Sequence, residues 1–276
     1  MGRQKPLLRG IRGVRTDMKQ KVILISIDGL RPDGLRQCGN PYVEQLEKSC
    51  AYTYQASSVD PSVTLPCHFS MTHGVSPQRH GILTNIYVPQ VRPVKGIFEK
   101  IADFGGVSAF IYGWEPLRDI ALPGTLKFAE FAQVFTDDSV DTVLTDKALE
   151  LIGAKKPDFA FLYMPELDDK GGHACGWMSE EYLRRISIAI DNVKRVVEAF
   201  GEEYTILIGT NHGGHDRSHG TLMPEDMTIP FFFRGNSFPP GKELENVSLL
   251  DIAPTIAKIM GVPAEQEWEG NVLAEL

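Results

Sequence analysis

"KVILISIDG", residues 21–29, is a run of apolar and small side chains, mostly β-branched, that stops at an aspartate and a glycine. A strand buried on both faces of a parallel sheet reads this way, as a continuous apolar run, and a functional loop commonly follows its carboxyl end. The same form recurs at "VSAFIYG" (107–113), "DFAFLYM" (158–164), "YTILIGT" (204–210) and "IPFFFRG" (229–235). Between these runs lie helical patterns over 94–105, 139–157, 178–201 and 248–263. The 178–201 pattern has Ser179 placed as an N-cap, acids in its first turn and Gly201 as a stop. Strand and helix alternate along nearly the whole chain, which predicts an α/β fold with a mostly parallel central sheet sandwiched by helices. No internal repeat, low-complexity tract or linker divides residues 21–276, and the short spans between elements leave no room for a large cap domain. Residues 1–20, basic with glycine and proline among them, read as a disordered tail.

Composition narrows the function. A chain of 276 residues suffices for one large domain, and 42% hydrophobic with 23% charged residues is ordinary for a globular protein. The net charge of −8 argues against a nucleic-acid polymer as partner. It leaves a phosphate-bearing small molecule open, because bound cations reverse the local field. Cys38, Cys50, Cys67 and Cys175 form no CxxC pair, so reduced thiols are the simpler reading. The first twenty residues lack the apolar stretch of a signal peptide, and no later segment reaches the ~18 apolar residues of a membrane span. The chain therefore reads as cytoplasmic, with no membrane partner.

The chemistry gathers where strands end, which is where α/β sheets hold their ligands. Asp28 follows the first strand, Asp168, Asp169 and His173 follow "DFAFLYM", and Asn211 and His212 follow "YTILIGT". The stretch "TNHGGHDRSHG" (210–220) brings His212, His215 and His219 together; His68, His73 and His80 form another group, and His173 stands beside acids. Imidazole nitrogen with carboxylate oxygen is the donor set zinc takes in catalytic sites. Thr64 lies between a Pro/Ser-rich loop and the helical stretch "LPCHFSMTHG". It reads either as an N-cap or as a metal-coordinated hydroxyl nucleophile at an anion-binding helix N-terminus.

"ISIDGLRPD", "PSVTLPCHFSMTHGVSPQRHGILTN", "DDKGGHACGW" and "NHGGHDRSHG" follow one another in an order that resembles the alkaline phosphatase superfamily. They are most similar to its nucleotide pyrophosphatase/phosphodiesterase (type I phosphodiesterase) branch, and the tail "VSLLDIAPTIAKIMGVPAEQEWEGNVL" extends the resemblance over residues 21–276. It implies an alkaline-phosphatase-like fold and two divalent metal ions, zinc first, with manganese or magnesium as alternatives. One ion would be held by Asp169, His173 and His219, with Asp168 as the other candidate carboxylate. The second would be held by Asp28, Thr64, Asn211 and His212. The resemblance implies that Thr64 attacks phosphorus and that a phosphothreonine intermediate is then hydrolysed. Asn85, twenty-one residues after Thr64, would bind a phosphoryl oxygen with the Leu65 N–H. The expected substrate is a small phosphodiester or nucleotide.

Asn211 departs from the family pattern, which has an aspartate there. A neutral amide removes one negative charge from the ion beside Thr64. Two alternatives follow: a phosphomonoester or phosphonate hydrolase on the same scaffold, or a weakened metal-binding relative without turnover. His215 is left as a spare. Lys170 and Arg217 read as solvated surface or as contacts to a substrate phosphate, and the stretches at 86–93 and around Trp114 as surface packing or the lining of a leaving-group pocket.

Overall fold

β1 (Lys21–Ile27) runs through the middle of the sheet, hydrogen-bonded in parallel on one side to β5 (Phe159–Met164) and on the other to β6 (Tyr204–Gly209). The computed structural model describes residues 18–133 and 139–274. Among them the strands form one seven-stranded sheet in the order β2–β7–β6–β1–β5–β3–β4, completed by β2 (Ala51–Ser57), β3 (Ser108–Tyr112), β4 (Phe128–Phe131) and β7 (Thr228–Arg234). β7 is antiparallel to β6, and β2 is antiparallel to β7 with a register shift between Thr53 and Ala56. The expectation of a mostly parallel sheet between helical layers holds. β2 and β4 carry no continuous apolar run: both lie at sheet edges, where every second side chain faces solvent, and β4 has only four residues.

Alternate residues of each central strand feed two separate cores, as the strand's period of two requires. Val22, Leu24, Phe161, Leu207 and Phe231 pack against the helices Thr64–His73, Ile97–Asp103 and Ile252–Met260. Ile23, Ile25, Leu162, Ile206 and Phe232 pack against Tyr42–Ser49, Val140–Lys155 and Glu180–Phe200. The helix Glu180–Phe200 starts where its sequence signals, with Ser179 Oγ accepting from the Tyr182 N–H. The 248–263 pattern opens as a short 3-10 turn before its α-helix begins at Ile252.

The four cysteines are free. Among the described residues no helix is long and apolar enough to cross a membrane. Of the expected tail, residues 1–17 lie outside the described residues. Because β1, β5 and β6 are parallel neighbours, the loops that follow them emerge side by side at one edge. That edge carries the site.

Candidate metal centre

Asp28 is the residue after β1 and is fully buried. Tyr163 of β5 donates its hydroxyl proton to Asp28 Oδ2, while Oδ1 lies 3.3 Å from His212 Nε2. Thr64 opens a ten-residue helix whose side chains are all buried, and its Oγ1 lies 3.2 Å from the same His212 Nε2. After β5 the chain winds into a π-helical turn, Leu167–His173. Asp168 Oδ2 lies 3.4 Å from His173 Nε2, and Oδ1 lies 3.8 Å from His219 Nε2. The rings of His212 and His219 stack with centroids 3.8 Å apart and planes 14° apart. Two donor groups result, Asp168–His173–His219 and Asp28–Asp168–His212, each with ligand atoms within 4.8 Å of one another. Asp168 belongs to both.

These residues fit divalent cations on three grounds. First, each histidine donates Nδ1–H to a backbone carbonyl: His173 to Arg217 at 2.9 Å, His212 to Gly213 at 2.8 Å and His219 to Ser62 at 2.8 Å. This fixes the tautomer and leaves every Nε2 lone pair facing the carboxylates, as metal-ligating histidines are held. Second, Asp28 Oδ1 and Asp168 Oδ1 are buried without a hydrogen-bond partner, a costly arrangement that a cation relieves. Third, burial sets protonation in the required sense. It pushes His212 down to about 3, with His219 beside it adding to the effect, and it lowers His219 as well, so both are neutral ligands. For Asp168 the sense is opposite: burial, then the neighbouring charges of Asp28 and Asp169, raises its carboxyl well above the usual range, a repulsion that a bound cation would relieve.

Several expectations need correction. The family's Asp-x-x-Gly-His element, carried onto this sequence, puts Asp169 four residues before His173, with Asp168 as the other candidate. The chain there winds as a π-helical turn, whose wider repeat brings residues five apart together, so it is the other candidate, Asp168, that faces His173. Asp169 lines the cleft beside them. Asn211 is fully buried, and protein groups engage its carbonyl oxygen. Oδ1 accepts from Thr210 Oγ1 at 3.1 Å and from the Gly29 N–H at 3.4 Å, while Nδ2 lies 3.4 Å from His68 Nδ1. Asn85 faces the cleft, but its Oδ1 accepts the Leu65 N–H at 2.9 Å, so these two groups do not both stand free for an oxyanion. His215 donates to Asp226 at 2.7 Å and braces its loop. His68, His73 and His80 belong to the core. His68 lies between Ser26 and the Thr64 carbonyl, His73 stacks on Phe69, and His80 is bonded to Ser70.

The cleft above the centre encloses about 380 Å³. Trp114 and Gln133 line it, in keeping with the pocket reading of Trp114 rather than surface packing, and so does Lys170, which lies 3.7 Å from Glu166. Sequence reasoning missed Tyr163, a strand residue hidden inside an apolar run. Its hydroxyl, on the penultimate residue of β5, is the only polar side-chain group in that strand.

A family model for type I phosphodiesterase / nucleotide pyrophosphatase matches residues 22–224. The chain belongs to this family. Type I phosphodiesterases are two-metal-ion hydrolases, typically of zinc. The chain is 26% identical over 187 residues to human ectonucleotide pyrophosphatase/phosphodiesterase family member 1, covering 59% of this chain and 20% of that protein. It is 24% identical over 278 residues to mouse bis(5'-adenosyl)-triphosphatase enpp4, covering 91% of this chain and 57% of the relative. It thus spans a fifth to rather more than half the length of these two relatives. Murine ectonucleotide pyrophosphatase/phosphodiesterase 5, solved inactive and in complex with AMP, shares the fold with a TM-score of 0.75 at 15% identity, over 91% of this chain and 97% of that one. A phosphonate monoester hydrolase from Silicibacter pomeroyi does so at 0.74 and 16% identity, over 92% and 76%.

Proposed function

We propose that this type I phosphodiesterase family member hydrolyses phosphodiester or phosphoanhydride bonds of small nucleotide-like substrates, with Thr64 as nucleophile. The observation that carries the reading is the position of Thr64 Oγ1: first turn of a buried helix, at the cleft, 3.2 Å from His212 Nε2. His173 and His219 with Asp168 would hold one divalent ion, and Asp28 and His212 with Asp168 the other, zinc suiting the donors best. Such ions lower the pKa of a hydroxyl and stabilise charge on the attacking and leaving oxygens.

The chain's own residues supply the rest. Thr64 Oγ1 attacks phosphorus as the bond to the leaving oxygen breaks, giving a phosphothreonine; water then cleaves the Oγ1–phosphorus bond and restores the hydroxyl. The helix N-terminus under Thr64 favours the anionic group. With its carbonyl on the Leu65 N–H, Asn85 keeps Nδ2 to donate to a phosphoryl oxygen. Lys170, in the cleft wall, adds positive charge among acids.

One observation favours a second reading. Asn211 supplies no charge and its carbonyl oxygen is engaged by protein groups, which suits a weakened centre that binds ligands with little turnover. Parallel assays of a chromogenic phosphodiester and a phosphomonoester with added zinc separate the readings. Diester turnover that falls by about a thousandfold or more in Thr64→Ala supports the proposal. A monoester preference refutes the substrate class, and no turnover of either favours the weakened centre.

A further inference from the structure

Trp177 lies outside the cleft, yet one buried side chain touches every segment that brings a donor to the centre. Two glycines press against its indole: a Cβ on Gly172 would come within 2.5 Å of the ring, and one on Gly214 within 2.2 Å. Gly172 immediately precedes His173, and Gly214 lies two residues past His212. The indole Nε1–H donates to the Gly29 carbonyl at 2.9 Å, the peptide next to Asp28. The ring meets His173 edge-on with centroids 5.2 Å apart, and His219 with centroids 6.0 Å apart. Its backbone N–H donates to Asp216 in the 210–220 loop at 2.8 Å.

We propose that Trp177 is the positioning residue of the metal centre, a rigid spacer that sets how far apart the β1 end, the π-helical turn and the 210–220 loop stand. The proposal rests on the metal reading above. An indole has no torsional freedom within its ring system, so the ring fixes how closely the Gly172 and Gly214 backbones can approach it. The directed N–H fixes the third segment through Gly29. Side-chain donors at three separate loop ends converge only if the loops keep that separation, and loosened supports of this kind typically weaken metal binding.

Trp177→Phe shrinks the spacer and removes the N–H without orphaning the Gly29 carbonyl, because Tyr182 also donates to it, at 2.7 Å. Trp268 provides the control. It packs against Gly74 and donates its indole N–H to the Lys95 carbonyl at 3.0 Å, but it touches no donor of the centre. Zinc affinity of the full chain is measured by competition with a chromophoric chelator, beside the melting temperature in excess EDTA. Trp177→Phe should bind zinc about tenfold or more weaker, whereas Trp268→Phe should lose stability and keep wild-type affinity. Equal zinc affinity in the two variants overturns the proposal. Should Trp177→Phe not fold, Trp114→Phe/Trp268→Phe leaves Trp177 as the single indole of the three in the chain. Its emission must then change as zinc saturates the protein, and an unchanged spectrum overturns the proposal too. Wild-type protein that binds no divalent metal refutes the metal reading itself.

Discussion

His68 Nδ1 lies 2.8 Å from the Thr64 carbonyl, to which it can only donate, and 3.4 Å from Asn211 Nδ2, which is also a donor. An aspartate at 211 would accept from that imidazole N–H and from the Gly29 N–H, and would add one negative charge near Asp28. Asn211→Asp should therefore fold and raise zinc affinity by roughly tenfold or more, with a faster diesterase. Metal content by elemental analysis and rates measured beside wild type decide it; equal occupancy and equal rate sink the idea. The departure at 211 was legible from sequence because the neighbouring residues keep the family order. The direction in which the amide points was not, since it depends on Gly29, Thr210 and His68, which come from three different elements.

The π-helical turn and the Thr64 helix carry the next tests. If the widened turn selects Asp168, then Asp168→Asn should weaken zinc binding by about a hundredfold, whereas Asp169→Asn should leave affinity close to wild type. The reverse ranking in the same chelator competition would restore the family motif's spacing in "DDKGGH". Motif spacing carried over from the family does not show one extra residue per turn, which is why it points to the neighbouring aspartate. The Thr64–His73 helix holds His73 in the core, and His80 follows close by. Burial lowers His73 to about 3 and His80 to about 4 from the ordinary 6.5. Below pH 6.5 the unfolded chain takes up protons that this core refuses. Stability in excess EDTA is then lost as pH falls, by about 1.4 kcal/mol per pH unit for each such histidine until its folded pKa is reached. Asp168, whose carboxyl is raised, contributes with the opposite sign, so the check is a difference between variants. His80→Gln should lose stability less steeply than wild type between pH 6.5 and 5 in urea titrations, and parallel slopes would show that His80 does not titrate on unfolding.

At the scale of the molecule, three parallel neighbours, β5–β1–β6, bring Asp28, Asp168 and His212 to one edge of the sheet. Their long apolar runs made these strands legible, and with them the edge where the site had to be. β2 and β4 were not legible, because edge strands are half-solvated and need no apolar run. Neither was Trp177, whose role depends on glycines at positions 172 and 214 that meet only in the fold. The same convergence has a thermodynamic consequence. Bringing Asp28 and Asp168 together leaves a buried carboxylate oxygen on each without a partner, and the folded chain alone holds them in that position. Cations that bind this folded arrangement and not the unfolded chain must stabilise it by mass action, about 2.7 kcal/mol at a hundred times the dissociation constant. For a domain of this size that corresponds to a rise in melting temperature of roughly 5–10 °C over EDTA-treated protein. The rise should saturate with zinc and shrink in Asp168→Asn. A melting temperature indifferent to zinc would mean that the carboxylates find their compensation within the protein, and the centre would lose its strongest physical argument.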